Sequence, residues 1–241
     1  MSGHSKWSTI KRKKGAADAK RGAIFTRLSK DITLAAKQGG GSIDMNPTLR
    51  LAVKKAKNAN MPSSNIDKAI KKGTGDIPGI TFEDCIYEGY GPKSVAILIE
   101  VMTDNKNRTL PEIRSIMTKN GGNLGESGCV SWIFEKKGIV VVKNSNISED
   151  KLFTFLDNCD IQDILINEED YEIIVKPEEF NNVIKILDSN NIQYDGEISL
   201  VPQNLVELSA YDAEKVVKLL EIIENHDDVQ KVHTNFEIKE V

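Results

Sequence analysis

The sequence predicts an α+β fold: an N-terminal three-helix domain followed by two ferredoxin-like α/β domains, the last inserted into the middle one. Three observations carry this. The first 75 residues combine helical apolar periodicity with dense Lys and Arg. Residues 138–201 run strand, helix, strand, strand, helix, strand, the βαββαβ order of a split βαβ unit. The segments on either side of that run each hold an incomplete set of strands and helices that together make a second unit. The expected domains are 1–78, then 79–135 with 204–241, then the inserted 136–203. A chain of 241 residues is long enough to bury separate cores in this way.

Charge divides the chain near the same place. Residues 1–75 hold 17 Lys or Arg against 4 Asp or Glu, a net +13, whereas residues 76–241 hold 15 against 32, a net −17. The overall −4 describes neither part. Such a split points to one segment that approaches a polyanion and another with a different task. No stretch approaches the roughly 20 apolar residues of a membrane span. After Met1, Trp7 and Ile10 are the only large apolar residues of the first 20, so no signal-peptide core is present. Cys85, Cys129 and Cys159 lack paired spacing and suit a reducing compartment. A cytoplasmic protein with no membrane partner is expected.

Residues 1–16 read as a mobile basic arm. From about Asp18 a helix places Ile24, Phe25, Leu28, Ile32, Ala35 and Ala36 on one arc, with Lys20, Arg27, Lys30 and Lys37 opposite; Gly39–Gly41 ends it. Asn46-Pro47 announces a second helix with Leu49, Ala52, Val53 and Ala56 inward and Arg50, Lys54 and Lys57 on another face. After "NANMPSSN", Ser64 and Asp67 stand at capping-box spacing before a third helix that ends in Lys71 and Lys72, ahead of Gly73. "GTGDIPG" at 73–79 is the linker. "CIYEGYG", "SVAILIEVM" and "CVSWIF" read as strands, and Thr109 with Glu112 starts a helix that tolerates Pro111 in its first turn. Helices at 149–158 and 177–189 flank a hairpin of "DILIN" and "YEIIV". "IQYDGEISL" closes that unit, and a helix through Val216–Ile223 leads to the strand "VQKVHTNFEI".

Catalytic and metal chemistry has no foothold. His4, His226 and His233 lack ligand spacing, no GxSxG elbow exists, and "NEED" and "HDD" read as solvated loops. "GYGPKS" at 89–94 is a strand-joining turn rather than a phosphate loop. "GGNLG" at 121–125 reads as a helix-ending loop, with an anion-binding nest as the alternative. Neither enzyme activity nor a cofactor is expected.

The basic segment supplies the function. Each Lys or Arg that meets a phosphate releases condensed counterion, so several together give salt-sensitive affinity. Charge geometry selects Arg27, Arg50, Lys54, Lys57, Lys71 and Lys72. Trp7 either stacks on an exposed base or packs against the first helix.

"GHSKWSTIKRKKGAADAKRGAIFTRLSKDI", "GGGSIDMNPTLRLAVKKAKNANMPSSNIDKAIKKGTG", "YEGYGPKSVAILIE", "TDNKNRTLPEIR" and "KNGGNLGESGCVSWIF" resemble the YebC/PmpR family. That family also includes the mitochondrial translational activator of cytochrome c oxidase subunit I. The resemblance implies three domains with the last inserted into the second. It also implies binding roles for Lys6, Lys11, Arg12, Lys13, Lys14, Lys20 and Arg21. It points to Met61, taken as exposed at the turn of its loop, as a contact that is not purely electrostatic. Cys129 departs from the small residue more usual there. The absence of a transit peptide before the motif fits a bacterial cytoplasmic member. The expected function is a nucleic-acid-binding regulator of gene expression, a DNA-binding transcriptional regulator. The alternative is a ribosome-associated RNA-binding translation factor that aids elongation through proline-rich stretches. A ligand- or protein-sensing role for the acidic domains is a further one. No helix-turn-helix or dimer seam is recognisable; a monomer is expected.

Overall fold

The computed structural model describes residues 21–76 and 83–239. The predicted arm, the helix start at 18–20 and part of the 73–79 linker fall outside them, as does the 78/79 boundary. The chain divides into two compact units, one of Glu135–Val201 and one of the residues through Phe134 together with those from Pro202 onward.

In the larger unit, helix α1 (Arg21–Gly39), α2 (Pro47–Asn58) and α3 (Ser63–Thr74) share one small core. Ile32, Ala35, Ala36, Leu49, Val53, Ala56, Ile66 and Ala69 are buried in it. Asn46 does two jobs. Its side chain accepts from Leu49 N (3.0 Å), capping α2, and donates to the carbonyls of Ala35 (2.8 Å) and Gly40 (2.9 Å) at the end of α1. Gly73 lies inside α3, which runs to Thr74, two residues beyond the predicted end. A Cβ there would collide with the Thr33 carbonyl, so its lack of a side chain lets α1 and α3 approach. The α3 start differs from the capping box expected at Ser64. Pro62 precedes the helix with φ −58°, and its carbonyl accepts from Asn65 N and Ile66 N without any side-chain cap.

The α/β part of this unit is a four-stranded sheet in the order β3-β1-β2-β9, from β1 (Glu83–Tyr90), β2 (Ala96–Thr103), β3 (Asn123–Leu124) and β9 (Val229–Thr234). Gly91–Val95 joins β1 to β2 as a tight turn, as "GYGPKS" predicts, so the two central strands are consecutive. That order departs from the ferredoxin-like one expected here, because a five-residue link cannot cross a sheet and must form a hairpin. Helices α4 (Lys106–Lys119) and α7 (Ala210–Glu224) bury Ile113, Met117, Val216, Leu219 and Leu220 with Ile97, Ile99 and Val101. A short β10 (Phe236–Ile238) pairs in parallel with β8 (Val206–Leu208). Asn235 interrupts the predicted strand to accept from Ala96 N at 2.8 Å.

Helix α4 begins three residues before the expected Thr109, because Asn105 caps it through Arg108 N (3.1 Å). Pro111 therefore sits beyond the first turn and deprives the Asn107 carbonyl of its helical donor. "CVSWIF" is a 3-10 turn over Ser131–Ile133, not a strand. The reason is Glu88, 6% exposed, whose carboxylate accepts from Gly128 N (2.8 Å), Val130 N (2.8 Å) and Ser131 N (2.7 Å). Amides aimed at one carboxylate cannot serve a strand ladder. The anion-holding amides therefore lie just after 121–125, where Gly122 N returns to Met117 O as a helix end, and the anion is internal.

The second unit holds β4 (Phe134–Lys143), α5 (Glu149–Leu156), β5 (Ile161–Ile166), β6 (Asp170–Val175), α6 (Pro177–Ser189) and β7 (Tyr194–Pro202), in sheet order β5-β6-β4-β7. This is the split βαβ arrangement that its element order predicts. Val140 pairs with Ile173, and Gly138, opposite Val175, leaves room for Phe180 of α6.

Burial works against the charge of Glu88, yet the three amides hold its carboxyl below the ordinary carboxylate value. A depressed folded pKa stabilises above the unfolded pKa and is lost as pH falls through the folded one. Glu88→Gln is expected to cost about 1–3 kcal/mol near pH 7. In urea melts the gap from wild type should narrow below about pH 4; a gap of equal size at pH 3 would count against this role.

Candidate nucleic-acid interface

Lys6, Trp7, Lys11, Arg12, Lys13, Lys14 and Lys20 lie outside the described residues, and Arg21 opens α1. The other predicted residues divide by what their side chains do. Arg27, Lys54, Lys57, Lys71 and Lys72 are exposed on the three helices. Lys54 and Lys57 sit one turn apart on α2, a helix with no acidic residue. Lys71 and Lys72 occupy the last turn of α3, where the helix dipole favours cations. Arg50 is also exposed but is engaged locally: Nε donates to Ile43 O (3.2 Å) and Nη2 to Asp44 O (2.7 Å), tying the α1–α2 connection to α2.

Met61 is a correction. It is 6% exposed and belongs to the helical core, not to an exposed turn. Asn60 adopts φ 59°, and Met61 N returns to Ala56 O at 2.9 Å, which folds the loop back and turns the thioether inward. The turn that results, residues 59–62, joins α2 directly to α3.

The α1 stripe is only partly available for binding a partner. Lys30 Nζ donates to the carbonyls of His226 and Val229, both at 3.0 Å. Burial lowers its pKa, and Asp227 and Asp228 partly oppose that effect. Lys37 meets Asp84 at 3.1 Å. Thus two of the four stripe residues hold the basic helices against the acidic α/β part of the same unit.

Two groups escape the sequence reading. Lys68 is exposed on α3 at i and i+3, i+4 from Lys71 and Lys72, a signal present in the spacing alone. "HDD" is not a solvated loop. Asp228 Oδ2 accepts from Thr109 Oγ1 (2.6 Å), Arg108 Nη2 (2.8 Å) and Thr103 Oγ1 (3.1 Å), while His226 Nε2 lies 3.0 Å from Glu112. Burial raises the Asp228 pKa, but these donors outweigh it and hold the carboxyl below its usual value. Asp228 N donates to His226 Nδ1 (3.1 Å), which leaves Nε2 to carry the proton toward Glu112 in the neutral ring. Nothing in the sequence separates this Asp from a surface Asp, because its partners lie over 100 residues away.

Where the two parts meet, a cleft of about 580 Å³ opens between α1 and α3 on one side and Met102–Arg108 with Asp227–Gln230 on the other. Among the described residues no cluster of metal-ligating side chains occurs, and no helix is long and apolar enough to cross a membrane. Lys30→Met is expected to lower stability by about 1–3 kcal/mol, since it removes a part-buried donor from the Val229 carbonyl and from that of His226, which keeps only Val229 N. Lys37→Met should cost less than about 1 kcal/mol, as an exposed pair does. Thermal melts of the two variants read the difference, and equal losses would contradict the assignment.

Comparison with known proteins places this geometry. Residues 5–76 match the family described as "TACO1/YebC protein N-terminal domain", and residues 82–236 match "TACO1/YebC second and third domain". A probable transcriptional regulatory protein of Dictyoglomus turgidum is 52% identical over 240 residues, covering 99% of this chain and 96% of that one. One of the same description from Geobacter sulfurreducens is 51% identical over 239 residues, with 99% and 96% covered. The crystal structure of a conserved hypothetical protein from Aquifex aeolicus superposes with a TM-score of 0.86 at 43% identity, covering 98% of each chain. With both matches spanning nearly its whole length, the chain belongs to the TACO1/YebC family.

Proposed function

We propose that this protein is a nucleic-acid-binding regulator of gene expression, a regulator of transcription that engages its partner through the basic helices and catalyses no reaction. One observation carries the reading. Arg27, Lys54, Lys57, Lys68, Lys71 and Lys72 project from three helices that together hold only two acidic residues, Asp31 and Asp67. A surface built for solubility alone would mix both signs. The relatives named probable transcriptional regulatory proteins support the regulatory role.

A second reading, an RNA-binding translation factor on the ribosome, is favoured by the cleft beside the basic surface. Phe25 is among its lining residues, and an aromatic ring at a cleft suits an unstacked base better than a paired one. Fluorescence anisotropy on the full chain, with duplex DNA and a ribosomal RNA fragment at 50–300 mM salt, tests both. The double variant Lys54→Ala/Lys57→Ala should weaken binding and lower the salt slope by roughly one to two for duplex DNA. An unchanged slope would move the interface elsewhere. Sedimentation with ribosomes at modest salt would favour the second reading over the first.

A further inference from the structure

The cleft between the basic helices and the acidic corner has two unlike walls, and its lining is mostly polar. Met61 and Met102 are nearly buried, so half-buried Phe25 is the apolar side chain it chiefly presents. Lys68 and Lys72 of α3 stand on one wall, and Asp227, at the approach to β9, stands on the other. Asp228 is already engaged by Thr103, Thr109 and Arg108, and Asp104 by the same arginine. Asp227 is an exposed carboxylate next to that network, close enough to Lys30 to help offset the burial of its charge. An occupant of this space needs an anionic group for the lysines, a flat ring for the Phe25 face and hydrogen-bond donors for the carboxylate. A nucleotide has all three, and about 580 Å³ lies within the range of small-ligand pockets.

We propose that this cleft binds one unpaired guanine nucleotide of the bound strand. The inference rests on the nucleic-acid reading above and adds a base to it. An ionised carboxylate only accepts hydrogen bonds, through two adjacent oxygens. Of the common bases, guanine alone presents two neighbouring donors, N1–H and the 2-amino group, on its Watson–Crick edge; adenine and cytosine pair a donor with an acceptor, and uracil flanks its donor with acceptors. Asp227 takes the guanine edge, Phe25 meets the ring, and Lys68 with Lys72 hold the phosphate. In a duplex that edge is occupied by cytosine, so the cleft selects single strands.

The test is anisotropy on the full chain with three labelled strands: a uridine decamer, the decamer with one central guanine, and the same decamer with a central adenine. Each is made with ribose and with deoxyribose, and the guanine strand is also annealed to its complement. A single guanine should tighten binding about tenfold over uridine or adenine in single strands only, in line with one bidentate base contact. Asp227→Asn should erase that preference. Because it also removes a negative charge, it should leave unchanged or slightly strengthen binding of the all-uridine strand. The two effects have opposite signs, so a general electrostatic change cannot imitate the result. Lys68→Ala should weaken all strands alike. Binding without a guanine preference, or a preference that survives Asp227→Asn, overturns the cleft assignment alone. Failure of every strand to bind at low salt overturns the nucleic-acid reading, and this one with it.

Discussion

The structure depends on a charge constraint at one side chain. A small helical core cannot carry many cations without an anionic neighbour, because their mutual repulsion opposes the compact state. Lys30 resolves this. Its ammonium is half-buried between the carbonyls of His226 and Val229, with Asp227 and Asp228 close enough to offset the cost of desolvation. That contact fixes α1 against the edge of the sheet, and Lys37 with Asp84 adds a weaker exposed one. The remaining basic residues are then held outward on a rigid support. The acidity of the α/β part thus has a local use as well as a bulk one: it docks the basic helices.

Two carboxylates do comparable work inside the α/β part. Glu88 gathers the amides of Gly128, Val130 and Ser131 and so shapes the loop before β4. Asp228 gathers two threonines and an arginine, joining the start of α4 to the approach to β9. Glu88 is buried and Asp228 partly so, and each charge is retained because several donors converge on it, which is the condition under which such burial is tolerated. The Asp228 network also forms one side of the cleft. The rigidity of that wall comes from hydrogen bonds reaching across more than 100 residues of sequence.

Local physics explains what was readable in advance. Ile32, Ala35, Ala36, Leu49, Val53 and Ala56 fall at helical spacing, and all are buried as that spacing requires. Asn46-Pro47 marks the start of α2 because capping is a contact between near neighbours. The errors fall where a distant group competes with a local preference. Thr109 has the spacing of a helix cap, yet its hydroxyl is taken by Asp228, and Asn105 caps instead. Val130 and Ser131 have strand character, yet Glu88 claims their amides. Met61 is a local exception: in a polar loop, it points inward because the backbone of its neighbour Asn60 turns left-handed.

The sequence by itself determined the division of charge, the helical faces, the βαββαβ order of residues 138–201 and the family. Each of these is a property of composition or of neighbours a few residues apart. Only the tertiary structure decided which cations remain outward, which acids are structural, and that a cleft lies between them. Those outcomes depend on pairs such as Lys30 with Val229 and Thr109 with Asp228. Pairing over such separations is set by how the chain packs, and no local pattern encodes it.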